Sequence, residues 1–376
     1  AEAYYARGIA FRTRGNYDVA LSDFTKAIQI DPAHASASYY YDQGVTFRKM
    51  GKYQDALGAL QRAIHLKSDY VEAECEQGIT YRTMGQYGEA LSSFDRAIQH
   101  NRNYAPAYYE RGITYRDRLN GRNSHKNDID EAIKSFTRSI RIDPDNPQAY
   151  QAYYERGGLL RKTKKYEEAL TSLEKAIELH SNYAQAYYEQ GIIFRETGRY
   201  QEAVTAFEQA IQHDSEDPQA YYELGITFRS MPHDHNESHQ SLDKAVRSFQ
   251  NAIALRATYD QAYYELGITL RESERYREAL DALDKAIHLD PDYPLAYYEK
   301  CITLYKMERY QEALIEIEKA IKIDPNYSPY YKEKWNVLHQ SERYIEALVA
   351  IEKAVQNAIQ FDAKDDFYVA KGDTLY

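Results

Sequence analysis

The chain repeats itself, and the repeat excludes most folds before any residue is weighed for its chemistry. A glycine recurs at Gly8, Gly44, Gly78, Gly112, Gly157, Gly191, Gly225 and Gly267, with Cys301 and Trp335 in the same slot, and most steps are 34 residues. Alanine follows twelve residues later in the uninterrupted repeats, at Ala20, Ala56, Ala90, Ala169, Ala203, Ala279, Ala313 and Ala347. Ala132 and Ala245 take that place in two repeats that carry insertions. A second alanine comes seven residues on (Ala27, Ala63, Ala97, Ala176, Ala210, Ala286), with Phe24, Leu60, Phe94, Phe136, Phe207 or Phe249 between the two. Small, large and small residues at steps of three to four draw one apolar stripe down a helix. Tyr108, Gly112 and Tyr115 trace a similar stripe on an earlier helix. Each period is therefore a helical hairpin. One hairpin buries too little apolar surface to stand alone, so neighbours must stack.

Aromatic, glycine, aromatic, alanine, aromatic and alanine at this spacing resemble the tetratricopeptide repeat family over nearly the whole chain. The resemblance implies an all-α, right-handed superhelical solenoid of stacked helix-turn-helix units with a concave groove as the usual binding surface. Ten units are expected in one continuous array, at 1–36, 37–70, 71–104, 105–149, 150–183, 184–217, 218–259, 260–293, 294–327 and 328–361. Residues 362–376 would start a further repeat or form a truncated capping helix. Two departures stand out. Tyrosine replaces the usual tryptophan, and the leucine before the glycine survives only at Leu224 and Leu266. Arg7, Gln43, Gln77, Arg111, Arg156 and Gln190 stand in that slot elsewhere, which should loosen one packing contact. Tyr17, Tyr53, Tyr87, Tyr166, Tyr200, Tyr276, Tyr310 and Tyr344 lie where the family packs one repeat on the next, and are read as structural.

Three further rows could carry function. Tyrosine stands three residues before the glycine at Tyr5, Tyr41, Tyr109, Tyr154, Tyr188, Tyr222, Tyr264 and Tyr298. Arginine stands four residues after it at Arg12, Arg48, Arg82, Arg116, Arg161, Arg195, Arg229 and Arg271. Isoleucine follows it directly at Ile9, Ile79, Ile113, Ile192, Ile226, Ile268 and Ile302. These offsets share one helical face, which the resemblance places in the groove. Stacking would turn them into parallel ladders able to grip an extended peptide, with the arginines taking carboxylates or carbonyls and the tyrosines giving flat contact. The competing reading neutralises the arginines with the glutamates two residues before the glycine slot: Glu76, Glu110, Glu155, Glu189, Glu223, Glu265, Glu299 and Glu333. Six residues, about 9 Å of helical rise, separate the two rows, so that pairing needs a favourable stagger between repeats. The arginine row ends at Tyr305 in the ninth unit, and Lys332 and His339 break the pattern in the tenth. The family's clamp for chaperone tails looks for lysine and asparagine where this chain has tyrosine, isoleucine and glutamate, so that partner is not expected.

Two units carry about eight extra residues between their helices, at 118–128 and 231–241. The second contains His233, Asp234, His235, Glu237 and His239, whose spacing fits no firm metal-ligand pattern and reads as a solvated loop. The chain has no phosphate-cradling glycine loop, no nucleophile motif and no paired metal histidines on a helix, so neither catalysis nor a cofactor or metal is expected. Lys plus Arg number 47 against 58 Asp plus Glu, a net charge of -11, which counts against a surface built for nucleic acid. Single-stranded nucleic acid on the arginine and tyrosine rows is the third-ranked partner. Cys75 and Cys301 lie about six repeats apart in a rod-like array and should not bridge. Without an apolar run near the ~20 residues of a membrane span, a cytoplasmic protein is expected, with a signal peptide on a longer precursor left open. The leading expectation is a scaffold for a protein or peptide, acidic or repetitive in character. The alternative is a structural protein that self-associates through its repeat ends.

Overall fold

The computed structural model describes residues 1–360 apart from 31, 33–34, 120–124, 126, 145, 147–148 and 233–237. The described chain is all α. Its helices come in pairs: α1 (Glu2–Thr13) with α2 (Tyr17–Ile30), α3 (Ala37–Lys49) with α4 (Tyr53–Leu66), and α5 (Val71–Thr83) with α6 (Tyr87–His100). Next are α7 (Ala105–Leu119) with α8 (Asp128–Ile142), α9 (Tyr150–Lys162) with α10 (Tyr166–Leu179), and α11 (Ala184–Glu196) with α12 (Tyr200–His213). The series closes with α13 (Pro218–Ser230) and α14 (Ser238–Leu255), α15 (Asp260–Glu272) and α16 (Tyr276–Leu289), α17 (Pro294–Lys306) and α18 (Tyr310–Ile323), and α19 (Ser328–Gln340) and α20 (Tyr344–Gln360). Two compact units are formed, Ala1–Ala186 and Tyr187–Tyr376. Residues 362–376, expected as a further repeat or cap, lie outside the described residues.

Within each unit the second helix of a pair packs on the first helix of the next, and first helices of successive pairs also touch, as α1 with α3 and α13 with α15. The core follows the period. Ala20, Ala56, Ala90, Ala132, Ala169, Ala203, Ala245, Ala279, Ala313 and Ala347 are all fully buried, as are Phe24, Phe94, Phe136, Phe207 and Phe249. The recurring glycine makes this possible. A Cβ on Gly78 would sit 2.5 Å from the Phe94 ring, and one on Gly157 would sit 2.8 Å from Leu173 Cγ. Where the slot holds Cys301 or Trp335, the facing core residue is the slimmer Ile317 or Ile351. Among the described residues no helix is long and apolar enough to cross a membrane. Cys75 and Cys301 are buried free thiols.

One irregularity escapes the simple period. The connection from α8 to α9 spans residues 143–149, whereas that from α6 to α7 spans only 101–104. The longer connection adds to the loop insertion already counted in the same repeat. A cavity of about 590 Å³ opens there, lined by Tyr104, Tyr109, Glu110, Ser139, Asp143 and Gln151 among others.

Candidate partner-binding face

The tyrosine, isoleucine and arginine rows all fall on the first helices, and the structure places them at different depths. Tyr5, Tyr41, Tyr109, Tyr154, Tyr188, Tyr222, Tyr264 and Tyr298 are each half-buried. Where the core residue of the pair is phenylalanine the tyrosine ring leans on it, at 5.9 Å for Tyr5 with Phe24 and 5.8 Å for Tyr188 with Phe207. They also meet a tyrosine that opens the following pair, at 5.3 Å for Tyr41 with Tyr70 and 4.9 Å for Tyr264 with Tyr293. Burial pushes the Tyr5 and Tyr109 phenols up to about 12. The row is therefore as much inter-repeat packing as surface. In the isoleucine row Ile113, Ile192 and Ile268 are buried, while Ile9, Ile79, Ile226 and Ile302 are half-buried.

The arginine row is engaged. Arg12 meets Asp42 at 2.9 Å, Arg82 meets Glu110 at 2.9 Å, Arg195 meets Glu223 at 2.9 Å, Arg229 meets Glu265 at 2.6 Å and Arg271 meets Glu299 at 3.0 Å. Arg48 pairs with Glu76 and Arg116 with Glu155 in the same manner. Arg161 is half-buried and also engaged. Each of these pairs joins the end of one first helix to the middle of the next, so the stagger that sequence spacing left open is met. Some rungs hold a second acid: Arg82 reaches Asp117 at 3.1 Å, and Arg229 approaches Glu272 at 3.7 Å. In the first rung the Tyr5 hydroxyl donates to Asp42 at 2.6 Å, which ties the tyrosine row to the charged one. The paired arginine side chains keep 19 to 34% of their exposure, so a rung is reachable from solvent on one side.

Electrostatically the face is a run of matched charges, not a bare positive stripe. Burial pushes the Glu110, Glu265 and Glu299 carboxyls up, and the facing Arg82, Arg229 and Arg271 offset only part of that rise. Such a face offers remaining guanidinium donors, carboxylate acceptors and tyrosine edges at a fixed pitch. It can hydrogen-bond peptide groups. It has little net charge to attract phosphate.

Sequence reasoning missed the role of the slot before the glycine. Arg7 holds Asp23 through two bonds of 2.7 Å, Arg111 reaches Asp95 at 2.9 Å, and Lys300 reaches Asp284 at 2.6 Å. At Arg7, Arg111 and Lys300 the polar slot replaces a leucine contact with ion pairs to second helices, and nothing in one helix's pattern names its partner in another. The first insertion is pinned at its ends, where Arg118 Nε donates to Asp128 at 2.9 Å and the His125 amide donates to the same carboxylate at 2.9 Å. The histidine-bearing stretch 233–237 of the second insertion lies outside the described residues.

Comparison with known proteins gives a consistent picture. Three family models, each described as tetratricopeptide repeat, match residues 1–68 and 148–216, residues 75–147 and 237–294, and residues 270–334. No curated protein matches the sequence. Among solved structures the chain is similar to YrrB, described as a TPR protein with an unusual peptide-binding site, at 26% identity over 56% of this chain and 99% of that one, with a TM-score of 0.45. It is similar to a tetratricopeptide repeat protein from Parabacteroides merdae at 18% identity over 72% of this chain and 99% of that one, with a TM-score of 0.50, a likeness of fold. Yeast Tom70 aligns with 99% of this chain and 91% of its own at 16% identity, with a TM-score of 0.41.

Proposed function

We propose, from the premise that this chain belongs to the tetratricopeptide repeat family, that it is a non-catalytic scaffold that holds an extended segment of a partner protein against its first helices. The observation that carries this reading is the recurrence of one rung, arginine on the carboxylate of the next pair beside a half-buried tyrosine, at the same register through each unit. A lining this uniform suits a partner gripped through its main chain, or one with a repeat of its own, better than a single irregular peptide. Because the guanidiniums are already matched by carboxylates, the affinity should come from hydrogen bonds and tyrosine contact, with little counterion release.

The test is selection of peptides from a displayed random library on the wild-type chain, followed by calorimetry of the best binder. The comparison variant carries Arg116→Ala with Glu155→Gln, which removes one rung without stranding a charge. A one-to-one complex that weakens about tenfold in the variant, the worth of about one charge-assisted hydrogen bond, supports the scaffold. Equal affinity for both proteins places the partner elsewhere. A loss of about a thousandfold between 50 and 200 mM salt would instead mark a phosphate-rich ligand.

Self-association is the second reading, and a separate observation favours it. Ile315, Ile345 and Val349, on α18 and α20, are 54, 82 and 64% exposed.

A further inference from the structure

The charged ladder stops one rung short. In α17 the arginine position is Tyr305, yet α19 still carries the receiving carboxylate, Glu333, at the register where Glu299 takes Arg271 at 3.0 Å one pair earlier. Among the described residues Glu333 has no ion pair; its carboxylate accepts a hydrogen bond from Asn336 Nδ2 at 2.9 Å. Lys306, Arg271 and Lys332 favour its charge from a distance, but burial pushes its carboxyl up all the same. Tyr305 stands at the register from which Arg271 reaches Glu299 one pair earlier, and Glu333 shares α19 with Trp335. Tyr298, Tyr305 and Trp335 pack on one apolar cluster with Cys301 and Leu304, and the Trp335 and His339 rings lie 5.5 Å apart. The result is a half-buried carboxylate with aromatic neighbours and no guanidinium of its own.

We propose that an arginine side chain of the partner completes this rung, its guanidinium on Glu333 and its plane against the tyrosine rings. The inference deepens the scaffold reading and rests on it for the partner, though not for the site. Arginine is the occupant because the earlier rungs show the geometry that this register accepts. A planar fork also serves a carboxylate and an aromatic face together, which an ammonium does less well. Binding here would fix the register of an extended segment on an otherwise uniform ladder.

The test uses N-acetyl-arginine amide as probe, with ligand-observed saturation-transfer NMR on the full chain. The neutral isostere N-acetyl-citrulline amide is the control. Two variants remove the site in opposite ways: Glu333→Gln takes away the charge, and Tyr305→Arg supplies the chain's own guanidinium. Tyr305→Arg rebuilds a rung that the other pairs already contain, so it should melt at or above the wild-type temperature. The expected result is binding of the arginine probe to the wild type, weakened about tenfold in both variants and for citrulline, in keeping with the loss of a charge-assisted hydrogen bond. Equal signals from the three proteins, equal signals from the two probes, or no binding to the wild type overturns the proposal. Probe binding without any peptide selected in the library experiment upholds the site and removes the scaffold reading.

Discussion

At the scale of the residue, a helical glycine is required at one register of this chain and dispensable at another. Gly191 sits where a Cβ would lie 2.6 Å from the Phe207 ring, and Phe207 is fully buried. Gly58 lies on α4 with no atom near its missing side chain. Gly191→Ala is therefore expected to cost about 1–3 kcal/mol through overpacking. Gly58→Ala should stabilise by about 0.5–1 kcal/mol through helix propensity. Urea denaturation of the two variants checks the pair, and equal shifts would mean that the close approach to Phe207 relaxes without cost. The slot itself is legible from sequence, because the contact repeats with the period. The depth of the tyrosine and isoleucine rows is not, since it depends on where the next pair settles.

Between elements, the rungs act as ties from one first helix to the next. Arg229 is 23% exposed and Glu265 14%, so each would be left partly desolvated if the other were removed. Arg229→Ala and Glu265→Gln should each destabilise the fold, and the double-mutant cycle should return a coupling of about 1–2 kcal/mol, between the values for exposed and buried pairs. A coupling near zero would show that water holds both groups as well as they hold each other. Both rows were visible in the sequence. Their partnership was not, because it depends on an axial offset between helices that no single helix encodes. The polar slot at Arg7 and Arg111 was expected to loosen packing, and instead it carries ion pairs to Asp23 and Asp95.

At the scale of the whole molecule, mass in solution separates one chain from many. The mass of the wild type in solution should be measured over about a hundredfold range of concentration, beside a variant with Ile345→Glu and Val349→Glu. The scaffold reading expects a single monomer mass throughout, because self-association would make mass depend on concentration without any ligand. Growth with concentration that the double variant abolishes would make the exposed aliphatics of α18 and α20 the working surface and would displace the scaffold reading.

The sequence by itself determined the helical hairpin, its repetition, the buried alanine and phenylalanine stripe and the glycine that admits it. Those features need only local periodicity and the volume of side chains a few residues apart. Tertiary structure decided which charge meets which, how deep the tyrosines lie, where the α8–α9 connection opens a cavity and that Glu333 has no arginine against it among the described residues. Each of these depends on the offset between neighbouring hairpins, a quantity set by the packing of many side chains at once.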